Sequence, residues 1–203
     1  GSEMCIRDRG LYIHIPFCRV RCQFCAFYVK PHNQKFVQAF LDGLAREIDA
    51  YGDLYGLNTT PVTYVYFGGG TPTVLSAKEL VAVLDNIERA FRVSKDAELS
   101  IEAHPNTINF ENLTILRSRG FNRLSIGAQS FDDNELNQLG GRSASKTNVK
   151  AYEVARQVGF KNINLDLMYG FLGHTLPSWK QTLDSTINLG PDHVSCYAFT
   201  VDE

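Results

Sequence analysis

Six short runs of branched and aromatic residues, each followed by a loop and then a helix-period pattern, constrain this chain more than any other feature. The runs are Leu11-Tyr12-Ile13-His14-Ile15, Thr63 to Phe67, Leu99 to Ala103, Leu124 to Ala128, Asn162 to Met168 and Val194 to Phe199. Between them, Phe36, Phe40, Leu44 and Ile48 step by four along one helix face. Leu80, Leu84 and Ile87 do the same behind Ser76 and Glu79, which read as a capping box. Asp132 with Glu135 reads as a second box, opening a short helix through Leu139. A helix from about Asn109 carries Leu113 and Leu116 and stops at Gly120. Val149, Tyr152, Ala155 and Val158 make a face ended by Gly159, and Trp179, Leu183 and Ile187 one ended by Gly190. Strand followed by helix, repeated, predicts an α/β fold of parallel strands joined by right-handed crossovers. An open doubly wound sheet and a barrel both satisfy that pattern, and both carry their chemistry at the carboxyl ends of the strands. The unusual residues of this chain cluster at those ends.

Composition narrows the functional classes. The 203 residues are 44% hydrophobic and 21% charged, as expected for a soluble globular domain. A formal net charge of -2 supplies no basic field for nucleic acid or anionic lipid. No apolar run approaches the ~20 residues of a transmembrane span, and no signal peptide is visible. Residues 1–10 read as a tag scar and leader outside the fold, Cys5 included, and residues 11–203 as one core domain. An end at Glu203, directly after the sixth strand, reads as a fragment lacking a further C-terminal domain. Three of the five cysteines fall within eight residues, a usage that suggests metal binding in a reducing cytoplasm rather than a disulfide framework.

Those three are Cys18, Cys22 and Cys25, spaced C-x3-C-x2-C directly after the first strand. Thiolates are soft ligands, suited to iron–sulfur clusters and to zinc. Three thiolates on a cube-shaped cluster leave one iron without a protein ligand, where a substrate can chelate. Arg19 and Arg21 would offset part of the negative charge. The competing reading is a structural zinc site in a non-catalytic fragment, with Cys196, His14 or His32 as fourth ligand.

Other strand ends carry further candidates. Phe67-Gly68-Gly69-Gly70-Thr71-Pro72 lets the backbone approach a ligand closely, with amides available for its polar groups. Glu102 can accept hydrogen bonds after the third strand, as a ligand acid or a solvated one. Gln129 follows the fourth strand, as a ligand contact or a helix cap. Arg142 can meet a carboxylate bidentately or stand on the surface. Asp166, inside an otherwise apolar strand, is costly unless paired. His14 beside the cysteine loop donates to a cluster or substrate, or satisfies a backbone carbonyl.

C-x3-C-x-aromatic-C after a first strand resembles the radical SAM superfamily signature. Tyr12-x-His14-Ile15-Pro16-Phe17-Cys18 is similar to the family of oxygen-independent coproporphyrinogen III oxidases (HemN type) and HemW-type heme chaperones. The resemblance implies a six-stranded parallel partial (β/α)6 barrel, with a [4Fe-4S] cluster on Cys18, Cys22 and Cys25. It implies S-adenosylmethionine (SAM) against Gly69, Gly70 and Thr71, with Glu102, Gln129, Arg142 and Asp166 as polar contacts and Tyr12 and Phe24 beside the adenosine. Heme or a porphyrinogen is the implied further partner, and a flavodoxin or ferredoxin the electron donor. Three positions depart from the family pattern: His104 for asparagine, Ala144 for histidine, and Phe171-Leu172-Gly173 where leucine and proline usually follow Gly170. The oxidase loop commonly carries a fourth cysteine two residues after the third; here that position is Phe27, an aromatic as in HemW-type proteins. Pro191 to Tyr197 is also more HemW-like. The resemblance therefore favours a heme chaperone over the oxidase.

Overall fold

The computed structural model describes residues 9–54, 60–140 and 143–200. Six strands form one sheet: β1 (Arg9–Ile15), β2 (Val62–Gly69), β3 (Val93–Ala103), β4 (Arg123–Gln129), β5 (Asn162–Tyr169) and β6 (His193–Ala198). Every neighbouring pair is parallel and the spatial order follows the chain order. No strand reverses that order, so the doubly wound alternative, which needs a switch point, does not apply. The sheet is a six-stranded parallel (β/α) sheet of open-barrel type, with β1 and β6 at its edges.

Helices α1 (Gln34–Leu54), α2 (Ala77–Ala90), α3 (Phe110–Ser118), α4 (Asp133–Gln138), α5 (Ser145–Val158) and α6 (Leu176–Leu189) lie between the strands. Ile13, Ile15, Val65, Phe67, Ile101, Leu124, Ile126, Ile163 and Leu165 project from one sheet face into the main core with Leu80, Leu84 and Ile87 of α2. Alternation sends their neighbours to the other face. That face is polar: Tyr12, His14, Tyr66, Glu102, Ser125, Asn164, Asp166 and Ser195 stand on it.

Local signals act where expected. Ser76 and Glu79 form the capping box. Asn109 caps α3, and Gly159 and Gly190 end α5 and α6 in the left-handed region at φ 100° and 70°. Four expectations are corrected. Arg9 and Gly10, read as leader outside the fold, belong to β1, where they pair with Val62 and Tyr64. Asp132 accepts from the Asn134 and Glu135 amides, but the Glu135 side chain does not return to close a box. It is buried instead, accepting from the Ser130 hydroxyl at 2.5 Å. On α1 the fully buried positions are Val37 and Ile48, whereas Phe36 is 66% exposed. Phe40 and Leu44 pack against the core, and together with Phe36 they line a cavity of about 710 Å³ beside the edge of β1. On α6 the buried residues are Thr182 and Thr186, while Ile187 is 71% exposed. Thr182 turns inward because its hydroxyl meets Ser130 Oγ at 3.1 Å and the Phe131 amide at 3.3 Å.

Candidate functional site

The cysteine loop is pinned at its base. Phe17–Cys18 pairs in parallel with Lys30–Pro31, through Lys30 N to Pro16 O at 2.6 Å and His32 N to Cys18 O at 2.9 Å. Inside the loop, Cys25 N donates to Cys22 O at 3.2 Å and Arg21 Nη2 to Cys25 O at 3.2 Å. Arg21 therefore braces the loop backbone. All three cysteines are free and half-buried. Burial raises the Cys18 and Cys22 pKa values; the Cys25 thiolate raises both further, and Cys18 adds to the shift at Cys22. Thr71 Oγ1 lies 3.5 Å from Cys18 Sγ and works in the opposite direction.

The glycine-rich turn is pressed against this loop. A Cβ on Gly70 would lie 2.7 Å from Phe17 O and 3.0 Å from Cys18 Sγ, so only glycine fits without displacing the backbone. Gly69 has φ +114°, and its Cβ would meet the His14 ring at 2.8 Å. The amides expected to face a ligand are already used. Gly69 N donates to Glu102 Oε2 at 3.1 Å, Gly70 N to Ile15 O at 2.8 Å and Thr71 N to Phe17 O at 2.8 Å. This corrects the expectation of available amides: the turn is stitched to its neighbours, and closeness of approach is what the glycines supply.

Glu102 accepts from Tyr66 OH at 2.7 Å as well as from Gly69. Asp166 accepts from Ser125 Oγ at 2.9 Å and Asn164 Nδ2 at 2.8 Å. Asn164 Oδ1 in turn meets His193 Nδ1 at 2.5 Å and Ser195 Oγ at 3.1 Å. Burial raises the pKa of both carboxyls against these bonds, and the charge of Asp166 raises that of Glu102 further. Two partly desolvated acids on one face suit a cationic ligand that also donates from hydroxyls.

Tyr12 is 58% exposed, with its hydroxyl 3.1 Å from His14 Nδ1. His14 Nε2 meets the Tyr28 carbonyl at 3.4 Å, the backbone-satisfying role. Phe24 packs on a second apolar cluster of Leu139, Met168 and Phe171. Gln129 has φ 65°, the only positive φ at a non-glycine among the described residues. The β4–β5 register shifts there, between Gly127 and Gln129, and Gln129 Nε2 folds back to 2.9 Å from a Cβ built on Gly127. Arg142 lies outside the described residues. Cys22, Phe24 and Gln129 share a small cleft with His104, whose Nδ1 caps the following turn at Asn106 N and whose pKa burial lowers.

Reading the sequence missed a buried group behind this rim. His174 Nδ1 accepts from Gly170 N at 2.9 Å, which places its proton on Nε2, 3.4 Å from Glu135 Oε1. The His174 ring stacks on Phe171 at 4.4 Å. Nothing local signals this pair, since Glu135 stands on α4 and His174 in the loop after β5.

The donor set fits a cluster. A zinc ion needs its ligands at a single point, whereas a cubane gives each thiolate its own iron. Among the described residues no helix is long and apolar enough to cross a membrane.

Known proteins are similar to this chain. A family model for the Radical SAM superfamily matches residues 12–186. Heme chaperone HemW of Bacillus subtilis (strain 168) is 35% identical over 200 residues, which are 96% of this chain and 51% of that protein. The oxygen-independent coproporphyrinogen III oxidase of Escherichia coli (strain K12) is 35% identical over 195 residues, covering 95% of this chain and 42% of that one. The chain thus spans about half the length of the curated relatives it matches. The solved coproporphyrinogen III oxidase HemN from Escherichia coli, described as a radical SAM enzyme, superposes with a TM-score of 0.88 at 33% identity, over 96% of this chain and 44% of that one. Methylornithine synthase PylB, at 15% identity and TM-score 0.65 over 96% of this chain and 54% of that one, shares the fold. The chain belongs to the radical SAM superfamily.

Proposed function

We propose that this chain is the radical SAM core of a HemW-like heme chaperone, with a [4Fe-4S] cluster on Cys18, Cys22 and Cys25 and SAM along the carboxyl rim. The observation that carries the reading is the seam between the glycine turn and the cysteine loop, where Gly70 leaves no room for a side chain beside Cys18 Sγ. Cys18, Cys22 and Cys25 would hold the cluster, which when bound would supply one-electron reduction of the SAM sulfonium. The chain's own residues bind and orient. The raised thiol pKa values keep protons on the apo loop, which cluster assembly must displace, and Thr71 beside Cys18 eases that loss. Gly69 and Gly70 would let SAM come close to the cysteine loop, while Glu102 and Asp166 would accept from its ribose hydroxyls and ammonium and offset its positive charge. Gln129 and Arg142 hold its polar end, and Tyr12 and Phe24 flank its adenosine. A flavodoxin or ferredoxin is the proposed reductant.

Phe27 favours the chaperone, because it stands, 71% exposed, where the oxidase pattern has a fourth cysteine. The equal identity to a HemW and to a coproporphyrinogen III oxidase keeps the oxidase as second reading, with oxidative decarboxylation of coproporphyrinogen III as its reaction. Anaerobically reconstituted protein, titrated with heme and separately incubated with coproporphyrinogen III, SAM and reductant, tests both. Saturable heme binding without decarboxylation is expected; turnover to protoporphyrinogen IX reverses the assignment. A colourless protein holding zinc rejects both readings for a structural metal site.

A further inference from the structure

The β4 rim contains a strained turn that one buried side chain holds from both sides. Ser130 N donates to Ala128 O at 2.8 Å, an i to i+2 bond that closes a three-residue turn with Gln129 at its centre. At φ 65° this is the γ-turn hand that non-glycine residues avoid. Such a conformation persists only where surrounding groups impose it. Asn148 of α5 imposes it here: its Nδ2 donates to Ala128 O at 2.8 Å and to Ser130 O at 2.9 Å. In an extended strand those two carbonyls stand about 6.6–6.8 Å apart, too far for one amide nitrogen to reach both at such lengths. Asn148 is 1% exposed, and its Oδ1 accepts from Ser143 Oγ at 2.8 Å. Ser143 is the residue directly after Arg142.

We propose that Asn148 is a positioning residue for SAM. Its carboxamide clasps the carbonyls on both sides of Gln129, holding that residue in the left-handed conformation that turns its side chain over Gly127, and Ser143 orients the clasp through Asn148 Oδ1. The part that concerns SAM rests on the function proposed above; the clasp itself does not. Gln129 belongs to the site read from the sequence, whereas Asn148 is buried on α5 and acts through it.

Two measurements test this on the full chain. Thermal unfolding of the apo protein is compared for wild type, Asn148→Ala, Gln129→Gly and the double variant. Glycine accepts positive φ without strain, so Asn148→Ala is expected to lower Tm clearly when Gln129 is present and much less when it is combined with Gln129→Gly. Equal losses in both backgrounds would overturn the clasp. SAM affinity is then measured by equilibrium dialysis on reconstituted wild type and Asn148→Asp, in which a carboxylate oxygen replaces the donating amino group. The variant is expected to keep wild-type iron content and bind SAM about tenfold or more weakly. Wild-type affinity in Asn148→Asp overturns the positioning role. Failure of the wild type to bind SAM overturns the function proposed above and the SAM part of this inference, while the Tm comparison still decides the clasp.

Discussion

On the β1–β3 side of the carboxyl rim, the contacts that shape the site run mainly between backbone atoms. Lys30 N to Pro16 O, Gly70 N to Ile15 O and Thr71 N to Phe17 O join the cysteine loop to the glycine turn. On the β4–β6 side they run mainly through side chains: Asn148 to two carbonyls, Ser130 to Glu135, Asp166 to Ser125 and Asn164. A backbone-built site demands only spacing and small residues, so it recurs as a compact motif. A side-chain-built site is assembled from residues tens of positions apart, and each member is buried at a cost unless its partners are present.

Substitutions that separate the two halves sharpen this contrast. The largest effect is expected from Cys18→Ser, which replaces a soft thiolate beside the glycine turn: reconstituted protein should lose its visible absorbance and most of its iron, yet unfold close to wild type as apo protein. Retention of full iron and sulfide would show that Cys18 is not a ligand. Glu135→Ala comes next, removing the carboxylate that accepts from the Ser130 hydroxyl and faces the buried His174 Nε2. It should cost about 2–3 kcal/mol, read as a Tm drop of roughly 5–10 °C; an unchanged Tm would mean that the buried pair contributes nothing net. Gly70→Ala pushes a methyl against Phe17 O and Cys18 Sγ. The expected loss is about 1–3 kcal/mol from overpacking, with cluster retention falling in parallel. Full retention would dissolve the seam argument.

Asp166→Asn is the mildest and separates stability from binding. Burial raises the Asp166 pKa, so the native chain keeps this proton to higher pH than the unfolded chain. Its contribution is therefore most favourable below the ordinary carboxyl value of about 3.9. It declines as pH rises through the folded pKa and then levels. Asparagine should flatten that decline and leave the apo protein at least as stable at neutral pH, while weakening SAM about tenfold. An Asp166→Asn protein that is less stable at neutral pH than at pH 4 by the wild-type margin would place the pH dependence elsewhere.

The same contrast explains what was legible in the sequence. The strands announced themselves through branched runs, and Ser76, Asn109, Gly159 and Gly190 marked helix ends because caps act within a turn. The cysteine spacing and the glycine run pointed to one rim for the same local reason. Glu135 was misread because a capping box and a buried partner of Ser130 look alike until α4 is placed against the β5 loop. On α6 Trp179 and Leu183 pack against the core as read, but Ile187 does not, and Thr182, bound to Ser130 from 52 positions away, shares the buried face with Thr186. β3 begins at Val93 rather than Leu99 because its first half, Val93 to Glu98, is polar and pairs at a register shift that no alternation pattern reveals.

Electron paramagnetic resonance of the reduced, reconstituted chain, recorded with and without SAM, tests the central claim most directly. A cluster held by Cys18, Cys22 and Cys25 with one iron open to ligand should give roughly four irons and four sulfides per chain and a spectrum that shifts when SAM is added. A spectrum indifferent to SAM, or a preparation that takes up zinc and no sulfide, would contradict it.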